Sequence, residues 1–160
     1  MIRDMKLTDK EDVLSMMRVF YSSKAVWTNG SEKIFANDIE ECVGESPYAK
    51  GYIFEIDNEI AGYVMIAISY STEFGKRCIW IEDIYIKDKY RGKGIGRDFF
   101  NYITKKYDCS IFKLEVEKEN EPAMGLYRKQ GFENLPYIEM IRQWINIINV
   151  DDFFAYFSLI

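Results

Sequence analysis

A glycine-rich turn carries the clearest chemical signal in the sequence. It runs from Arg91 to Gly96, has glycine at alternate positions, and joins an apolar stretch to an amphipathic one. This spacing lets main-chain N–H groups crowd around an anion at a helix N-terminus, where unpaired donors and the helix dipole both favour phosphate. Arg91 and Lys93 add positive charge. A plain tight turn needs a single glycine, so we expect a phosphate-binding loop.

Two common phosphate loops do not fit this spacing. A dinucleotide-binding fingerprint that starts at Gly92 and Gly94 needs glycine at position 97, where the chain has Arg97. A Walker loop continues Gly-Lys into Ser or Thr, whereas Gly92 and Lys93 are followed by Gly94. The sequence therefore disfavours both a Rossmann enzyme and a P-loop NTPase.

The composition bounds the class of protein. The chain has 160 residues, of which 48% are hydrophobic and three are proline, and this predicts one globular domain over residues 1–160. It contains no histidine, which excludes mechanisms that need an imidazole. Its 26 acidic and 21 basic side chains give a formal charge of −5, which disfavours nucleic-acid binding and leans toward cationic partners.

The cysteines and the hydropathy pattern bear on location. Cys42, Cys78 and Cys109 are odd in number and form no CxxC pair, so we expect neither a disulfide framework nor a metal site. The start of the chain is charged, unlike a signal peptide, and no segment approaches the roughly 20 apolar residues of a membrane span. We therefore expect a cytoplasmic protein with no membrane partner.

The first half of the chain predicts two helices and then three strands. A capping-box pattern that begins at Thr8 predicts a helix over 9–23, and a similar pattern at Asn29 predicts a second helix that ends near Gly44. A turn at Asp57–Glu59 predicts a hairpin. The predicted strands are Gly51–Ile56, Ile60–Tyr70 and Cys78–Ile86.

The second half alternates helices and strands. We predict a helix over Gly94–Tyr107, a strand over Ser110–Glu117, and a short helix that is capped by Asn120 and ends before Gly131. The apolar tail from Trp144 to Ile160 is interpreted as a packed terminal element or as a contact surface in a homodimer. Two late strands are predicted at Phe132–Leu135 and Tyr137–Gln143.

Two motifs together resemble the GNAT superfamily of N-acetyltransferases. The pattern Arg91-x-x-Gly94-x-Gly96 between a strand and a helix resembles the acyl-CoA pyrophosphate loop of that family. The later order of Asn120, Tyr127 and Gly131-Phe132 resembles its second motif, and the order of elements matches over most of the chain. The resemblance implies a single-domain α/β GNAT-like acyl-CoA N-acyltransferase fold, with a mixed, mostly antiparallel twisted sheet flanked by helices. It also implies acetyl-CoA as the acyl donor and no metal.

The resemblance implies roles for residues around the loop. The strand before the loop would present main-chain groups to the pantetheine arm, and an N–H near Ile84 would hold the thioester oxygen. Tyr127 would protonate the departing thiolate as the general acid. Asn120 would contact the cofactor or an ordered water. The donor-binding set is Ile84, Tyr85, Ile86, Arg91, Gly92, Lys93, Gly94, Ile95, Gly96, Asn120 and Tyr127.

The acceptor side carries fewer signals. The run around Glu82 and Asp83 is similar to diamine and polyamine acetyltransferases, in which the carboxylate at the Glu82 position is the proposed base, acting through water. We expect Glu82 to be the base and Asp83 to contact the substrate ammonium, with Glu117 nearby and Trp27 lining the acceptor site. The alternative, that both carboxylates are ordinary strand-end residues, stays open.

These expectations amount to one function and one alternative. The sequence predicts an acetyl-CoA-dependent N-acetyltransferase that acts on a primary amine of a small cationic molecule or a protein. Direct attack in a ternary complex is expected, because the cysteines do not resemble activated nucleophiles. The alternative is a noncatalytic acyl-CoA-binding sensor or partner-binding domain on the same fold.

Overall fold

A five-stranded sheet organises the chain. The computed structural model describes residues 1–108 and 110–142. The sheet has the order β1-β2-β3-β4-β5; its first four strands are antiparallel, and β5 runs parallel to β4. This arrangement confirms the predicted α/β class with a mixed, mostly antiparallel sheet. The elements are β1 (Ile2–Asp4), α1 (Lys10–Tyr21), α2 (Glu32–Val43), β2 (Ala49–Ile56), β3 (Glu59–Ser71), β4 (Lys76–Ile86), α3 (Ile95–Lys106), β5 (Ile111–Leu114) and α4 (Glu121–Lys129).

Helices cover both faces of the sheet. On one face, α1 and α2 pack against β2 and β3 through residues such as Met17, Ile39 and Tyr63. On the other face, α3 supplies residues such as Phe99 and Ile103 to a second apolar cluster. Among the described residues, no helix is both long enough and apolar enough to cross a lipid bilayer.

The β2–β3 hairpin forms where the sequence predicts it. Asp57 and Asn58 occupy the turn with φ angles of 50° and 63°. Positive φ at both central residues is what a two-residue hairpin turn requires, and Asp and Asn tolerate it better than other non-glycine residues.

The predicted caps of the first two helices are wrong by one or two residues. Thr8 lies inside a 3-10 turn over Leu7–Asp9, so Asp9 occupies the N-cap position of α1, without a capping hydrogen bond from its side chain. Gly30 turns the chain with a φ of 62°, and α2 begins only after it. Ser31 is the cap, and its hydroxyl accepts a hydrogen bond from the amide of Ile34 at 3.3 Å.

The structure corrects the predicted strands late in the chain. β5 is shorter than predicted, and residues 132–142 form no strand. Apolar alternation makes a strand only where a neighbouring strand pairs with it and one face is covered, but here Ile138 and Met140 are each 90% exposed. Gln143, the predicted tail contact from Trp144 to Ile160, and Cys109 lie outside the described residues.

Candidate functional site

The strands β4 and β5 separate part-way along the sheet and leave a cavity between them. Their last paired residues are Ile81 and Leu114, and each is followed in the chain by a glutamate, Glu82 within β4 and Glu115 just after the end of β5. These two glutamates line a cavity of about 190 Å³ together with Trp80, Ile81 and Glu139. The split in the sheet therefore opens into an acidic cavity.

A β-bulge at Glu82 sets the direction of the residues beside the cavity. Met65 pairs with Asp83 and Ile66 pairs with Ile81, so Glu82 is an extra residue in β4 with no partner on β3. Ile81 packs in the cluster under α3, but Asp83, two residues later, lies opposite Met65 of the α1–α2 face. The bulge thus reverses which residues of β4 face each side of the sheet.

Asp83 is buried, and two tyrosine hydroxyls donate hydrogen bonds to it. It is 4% exposed, and its carboxylate oxygens accept hydrogen bonds from Tyr63 at 2.9 Å and from Tyr21 at 3.1 Å. Burial raises the pKa of Asp83 to about 6, with the two phenols opposing the shift and the carboxylates of Asp38 and Glu82 adding to it. This burial does not support the predicted direct contact between Asp83 and a substrate ammonium.

Glu82 differs from its neighbour because it reaches solvent. Its side chain is exposed at the cavity, yet protein atoms around the carboxyl displace enough water to raise its pKa above the ordinary value. The negative charges of Glu139 and Asp38 act in the same direction. A solvent-accessible carboxylate with a raised pKa is suited to accept a proton near neutral pH.

One edge of β4 beyond the cavity has no strand partner among the described residues. The amide of Lys87 donates to the carbonyl of Ala61 at 2.9 Å, so the main-chain groups of Ile84 and Ile86 point to the opposite, unpaired edge. Those of Tyr85 point toward β3. Of the predicted pantetheine residues, Ile84 and Ile86 therefore present main-chain groups to the split, and Tyr85 does not.

The glycine loop forms an open cradle of amides. Gly92 and Gly94 have φ angles of 73° and 84°, and a side chain added at Gly92 would meet nothing within 4 Å. The first hydrogen bond of α3 runs from the amide of Asp98 to the carbonyl of Gly94 at 3.0 Å. The amides of residues 95–97 therefore have no partner within the helix and are available to an anion, as the predicted pyrophosphate loop requires.

Gly96 has a different reason to be glycine. A Cβ atom at this position would lie 2.7 Å from Cδ2 of Leu126 in α4. Its small size lets the first turn of α3 approach α4 closely. The sequence pattern alone did not reveal this contact.

The two cations of the loop are anchored and remain at the surface. Arg91 donates from Nε to the carbonyl of Ile86 at 2.9 Å and pairs with Asp88 at 2.9 Å. Lys93 lies over the ring of Tyr90, with Nζ 5.2 Å from the ring centroid. Both cations are thus held beside the amide cradle.

Tyr127 lies on α4 and is 8% exposed. Its ring packs edge-on against Phe100 and Phe132, with centroid distances of 5.8 and 5.9 Å. Within residues 1–108 and 110–142 its hydroxyl has no hydrogen-bond partner, and it is not sealed from solvent. Burial raises the pKa of Tyr127, so its phenol stays protonated at neutral pH. Asn120 caps α4 as predicted, accepting from the amide of Ala123 at 3.3 Å.

Comparison with known proteins decides the family. The model of the acetyltransferase (GNAT) family matches residues 12–132. This chain belongs to the GNAT family. It is 31% identical over 152 residues to a thialysine N-epsilon-acetyltransferase of Bos taurus, with 87% of each chain covered.

Other relatives agree with this assignment. The GNAT chain is 32% identical over 135 residues to a putative ribosomal protein bS18-alanine N-acetyltransferase of Bacillus subtilis (strain 168), covering 82% of this chain and 80% of the relative. It is 24% identical over 109 residues to a spermine/spermidine N(1)-acetyltransferase of the same organism, covering 64% and 69%. The similarity to polyamine acetyltransferases is thereby confirmed.

Solved structures agree on the fold. A possible acetyltransferase from Clostridium difficile 630 superposes with a TM-score of 0.76 at 18% identity, covering 91% of this chain and 98% of that one. The family match and the relatives named above support N-acetyltransferase activity on amine substrates, and the family uses acetyl-CoA as the acyl donor.

The remaining predicted residues of the GNAT site are placed as follows. Trp27 is 80% exposed on the connection between α1 and α2, so its role at the acceptor site stays a prediction. Glu117 is exposed and does not line the cavity; Glu115 takes that place. Finding Glu115 requires the β4–β5 register, which no local signal in the sequence provides.

Proposed function

We propose that the protein transfers an acetyl group from acetyl-CoA to a primary amine of a small cationic acceptor, by direct attack in a ternary complex. The observation that carries this proposal is the acidic cavity at the split between β4 and β5, with Glu82 pushed toward it by the bulge. The amine nitrogen forms a bond to the acyl carbon while the carbon–sulfur bond breaks. The nitrogen loses two protons on the way from ammonium to amide: one goes to a base and on to solvent, and the loss of the other is balanced by the proton that joins the sulfur.

The donor-binding residues fit acetyl-CoA. The unpartnered amides of residues 95–97 and the surface cations Arg91 and Lys93 match a pyrophosphate group. The edge of β4 at Ile84 and Ile86, where no described strand pairs and the carbonyl of Ile86 accepts from Arg91, matches an amide-containing arm that extends like an added strand. Bound acetyl-CoA supplies the activated thioester; the protein supplies the position of its acyl group.

Glu82 is proposed as the general base, directly or through water. An amine acceptor is an ammonium at neutral pH, with a pKa near that of lysine, about 10, so a group must receive its proton. The raised pKa makes the Glu82 carboxylate a stronger base than an ordinary glutamate, and its exposed side chain can reach a substrate.

Tyr127 is proposed as the general acid. Its phenol is held by two aromatic contacts, keeps its proton because burial raises its pKa, and has no competing partner in the described structure. A protonated donor with a free hydroxyl is what a departing thiolate needs.

The acceptor class follows from the charge of the cavity. Glu82, Glu115 and Glu139 line it, and a cationic substrate is favoured where negative side chains converge. The names of two relatives, which refer to thialysine and to spermine or spermidine, support a small amine with more than one charged group. Trp27 is kept as a candidate wall of this site.

The test measures release of CoA thiol from acetyl-CoA with spermidine, thialysine and a lysine peptide, beside a control without acceptor. We expect release with spermidine or thialysine. Glu82→Gln and Tyr127→Phe should each lower kcat by about 100-fold while leaving the acetyl-CoA Kd within about 2-fold. Glu115→Gln should mainly raise the KM of the amine.

Glu119→Gln is the matched control. Glu119 is an exposed carboxylate four residues after Glu115 in the chain, and it does not line the cavity. It should leave kcat and KM unchanged. Acetyl-CoA binding without release for any acceptor would contradict the proposed enzyme and favour the noncatalytic sensor.

A further inference from the structure

We propose that Asp83, held by Tyr21 and Tyr63, is a positioning residue that fixes the β4 bulge and thereby directs Glu82 into the cavity. We name these three residues the aspartate clamp. The proposal rests on the proposed function, in which Glu82 is the base.

The alternation of β4 shows why the bulge and the clamp depend on each other. If β4 kept regular alternation through Glu82 in place of the bulge, Asp83 would share the face of Ile79 and Ile81, inside the apolar cluster under α3. A carboxylate without partners is strongly disfavoured in such a cluster. With the bulge, Asp83 lies opposite Met65 and meets two hydroxyl donors. The clamp therefore selects the register that leaves Glu82 unpaired.

The two donors come from different elements. Tyr63 lies on β3 and is fully buried, so it fixes Asp83 within the sheet. Tyr21 is the last residue of α1, and its ring packs against Phe35 of α2 with a centroid distance of 4.9 Å. The clamp thus ties the bulge to the point where the connection between α1 and α2 begins.

Another cavity in the described part of the chain adjoins this point. It has a volume of about 510 Å³, and Tyr21 lines it together with Arg18 of α1, Asn29 of the connection and Phe35 of α2. A change in Tyr21 would therefore be felt both at this cavity and, through Asp83, at Glu82.

The charged and titratable groups around the clamp leave its negative charge in place. The carboxylates of Asp38 from α2 and Glu82 from β4 face Asp83, and the buried thiol of Cys42 from α2 also senses its charge. The phenols of the clamp donate hydrogen bonds, and the pKa of each is raised, so they remain protonated at neutral pH. Neutral donors hold Asp83 without cancelling its charge.

The test uses Tyr21→Phe, Tyr63→Phe and the double variant. Tyr52→Phe is the matched control. Tyr52 is as buried as Tyr63, its hydroxyl pairs at 3.0 Å with that of Tyr107, and its ring packs in the cluster under α3, away from Asp83. Two measurements are made: amide hydrogen exchange over residues 81–84, and the pH profile of kcat and KM with acetyl-CoA and spermidine.

Each clamp variant should speed exchange at residues 81–84 and lower kcat about 10-fold, with the amine KM changing less than about 3-fold. The acid limb of kcat should stay where it is in wild type, because it reports Glu82, whose pKa is raised by burial, Glu139 and Asp38. Tyr52→Phe should show none of these changes.

The outcomes separate the clamp from the base. If Glu82→Gln abolishes turnover but the clamp variants behave like Tyr52→Phe in both measurements, the clamp is overturned and the base stands. If Glu82→Gln keeps full turnover, the base assignment fails and kcat no longer reports the position of Glu82. The clamp is then tested by hydrogen exchange alone. Faster exchange in Tyr21→Phe and Tyr63→Phe then supports it, and unchanged exchange overturns it.

Discussion

Within residues 1–108 and 110–142, two charged side chains are buried, Asp9 at 6% exposure and Asp83 at 4%, and their surroundings differ in kind. Asp9 meets a full positive charge. Arg3 donates to both of its carboxylate oxygens, at 2.8 and 3.0 Å, and the amide of Lys6 adds a third hydrogen bond at 2.8 Å. Burial alone would raise the pKa of Asp9, but these partners together lower it.

Asp83 meets neutral donors. Tyr21 and Tyr63 satisfy its oxygens, and its pKa is raised to about 6, chiefly by burial. The comparison teaches that burial by itself does not mark a functional carboxylate. The guanidinium of Arg3 neutralises the charge of Asp9, which gives Asp9 a structural role. The phenols are neutral and leave an uncompensated negative charge on Asp83 beside the candidate site.

Of the two Asp→Asn substitutions, the one at Asp9 should cause the larger loss of stability. Asp9→Asn removes the bidentate partner of Arg3, which keeps its contact with Glu55 at 2.8 Å, and we expect the free energy of unfolding to fall by about 2 kcal/mol. The activity of the folded protein should stay within about 2-fold of wild type. Denaturant unfolding and kcat measured on the same sample check this; a loss of kcat with intact stability would contradict it.

Asp83→Asn should have the opposite profile. The asparagine keeps an acceptor for one phenol and removes a buried charge, so we expect the free energy of unfolding at pH 7.5 to change by less than about 1 kcal/mol. We expect kcat with spermidine to fall about 30-fold, because the bulge loosens. A large loss of stability with normal kcat would make Asp83 a structural residue like Asp9.

These two regions also show what the sequence could predict. The turn at the glycine loop and the cap of α4 are confirmed, because glycine dihedrals and an asparagine cap are local properties of a few residues; the phosphate-binding role of the loop stays a prediction. The role of Asp83 was not predicted, because it depends on the bulge at Glu82, and the bulge is a property of the β3–β4 register. Neither the register nor the approach of Tyr21 from α1 can be read from neighbouring residues.

The errors have the same origin. The cap of α2 fell at Ser31 because Gly30 turns the chain, and the strands predicted over 132–142 found no partner in the described part of the chain. Patterns of residue type describe which conformations are allowed, and tertiary contacts select among them.

The contributions of Asp83 and Asp9 to stability should also depend on pH in opposite directions, and this effect is smaller. Asp83 has a folded pKa of about 6, above its ordinary value of 3.8, so the folded state binds more protons between these pH values. Its contribution to stability therefore grows as pH falls, by about 1 kcal/mol from pH 7.5 to 5. The pKa of Asp9 is shifted down, so its contribution is instead lost at low pH.

The measurement is the free energy of unfolding of wild type and Asp83→Asn at several pH values from 7.5 to 5. The difference, wild type minus variant, should rise as pH falls. A flat difference would show that Asp83 titrates at the same pH in both folded and unfolded states.

The smallest effect is expected at Glu32, which has the chemistry of Asp9 without its burial. Arg18 binds both oxygens of Glu32, at 2.7 and 2.8 Å, and both side chains are exposed to water. Water and salt screen such a pair, and ordering two long side chains opposes it. We expect Glu32→Gln to leave the Tm unchanged within error, where Asp9→Asn lowers it clearly. Equal losses of Tm in the two variants would mean that the guanidinium contact, and not burial, determines how strongly an acid braces this fold.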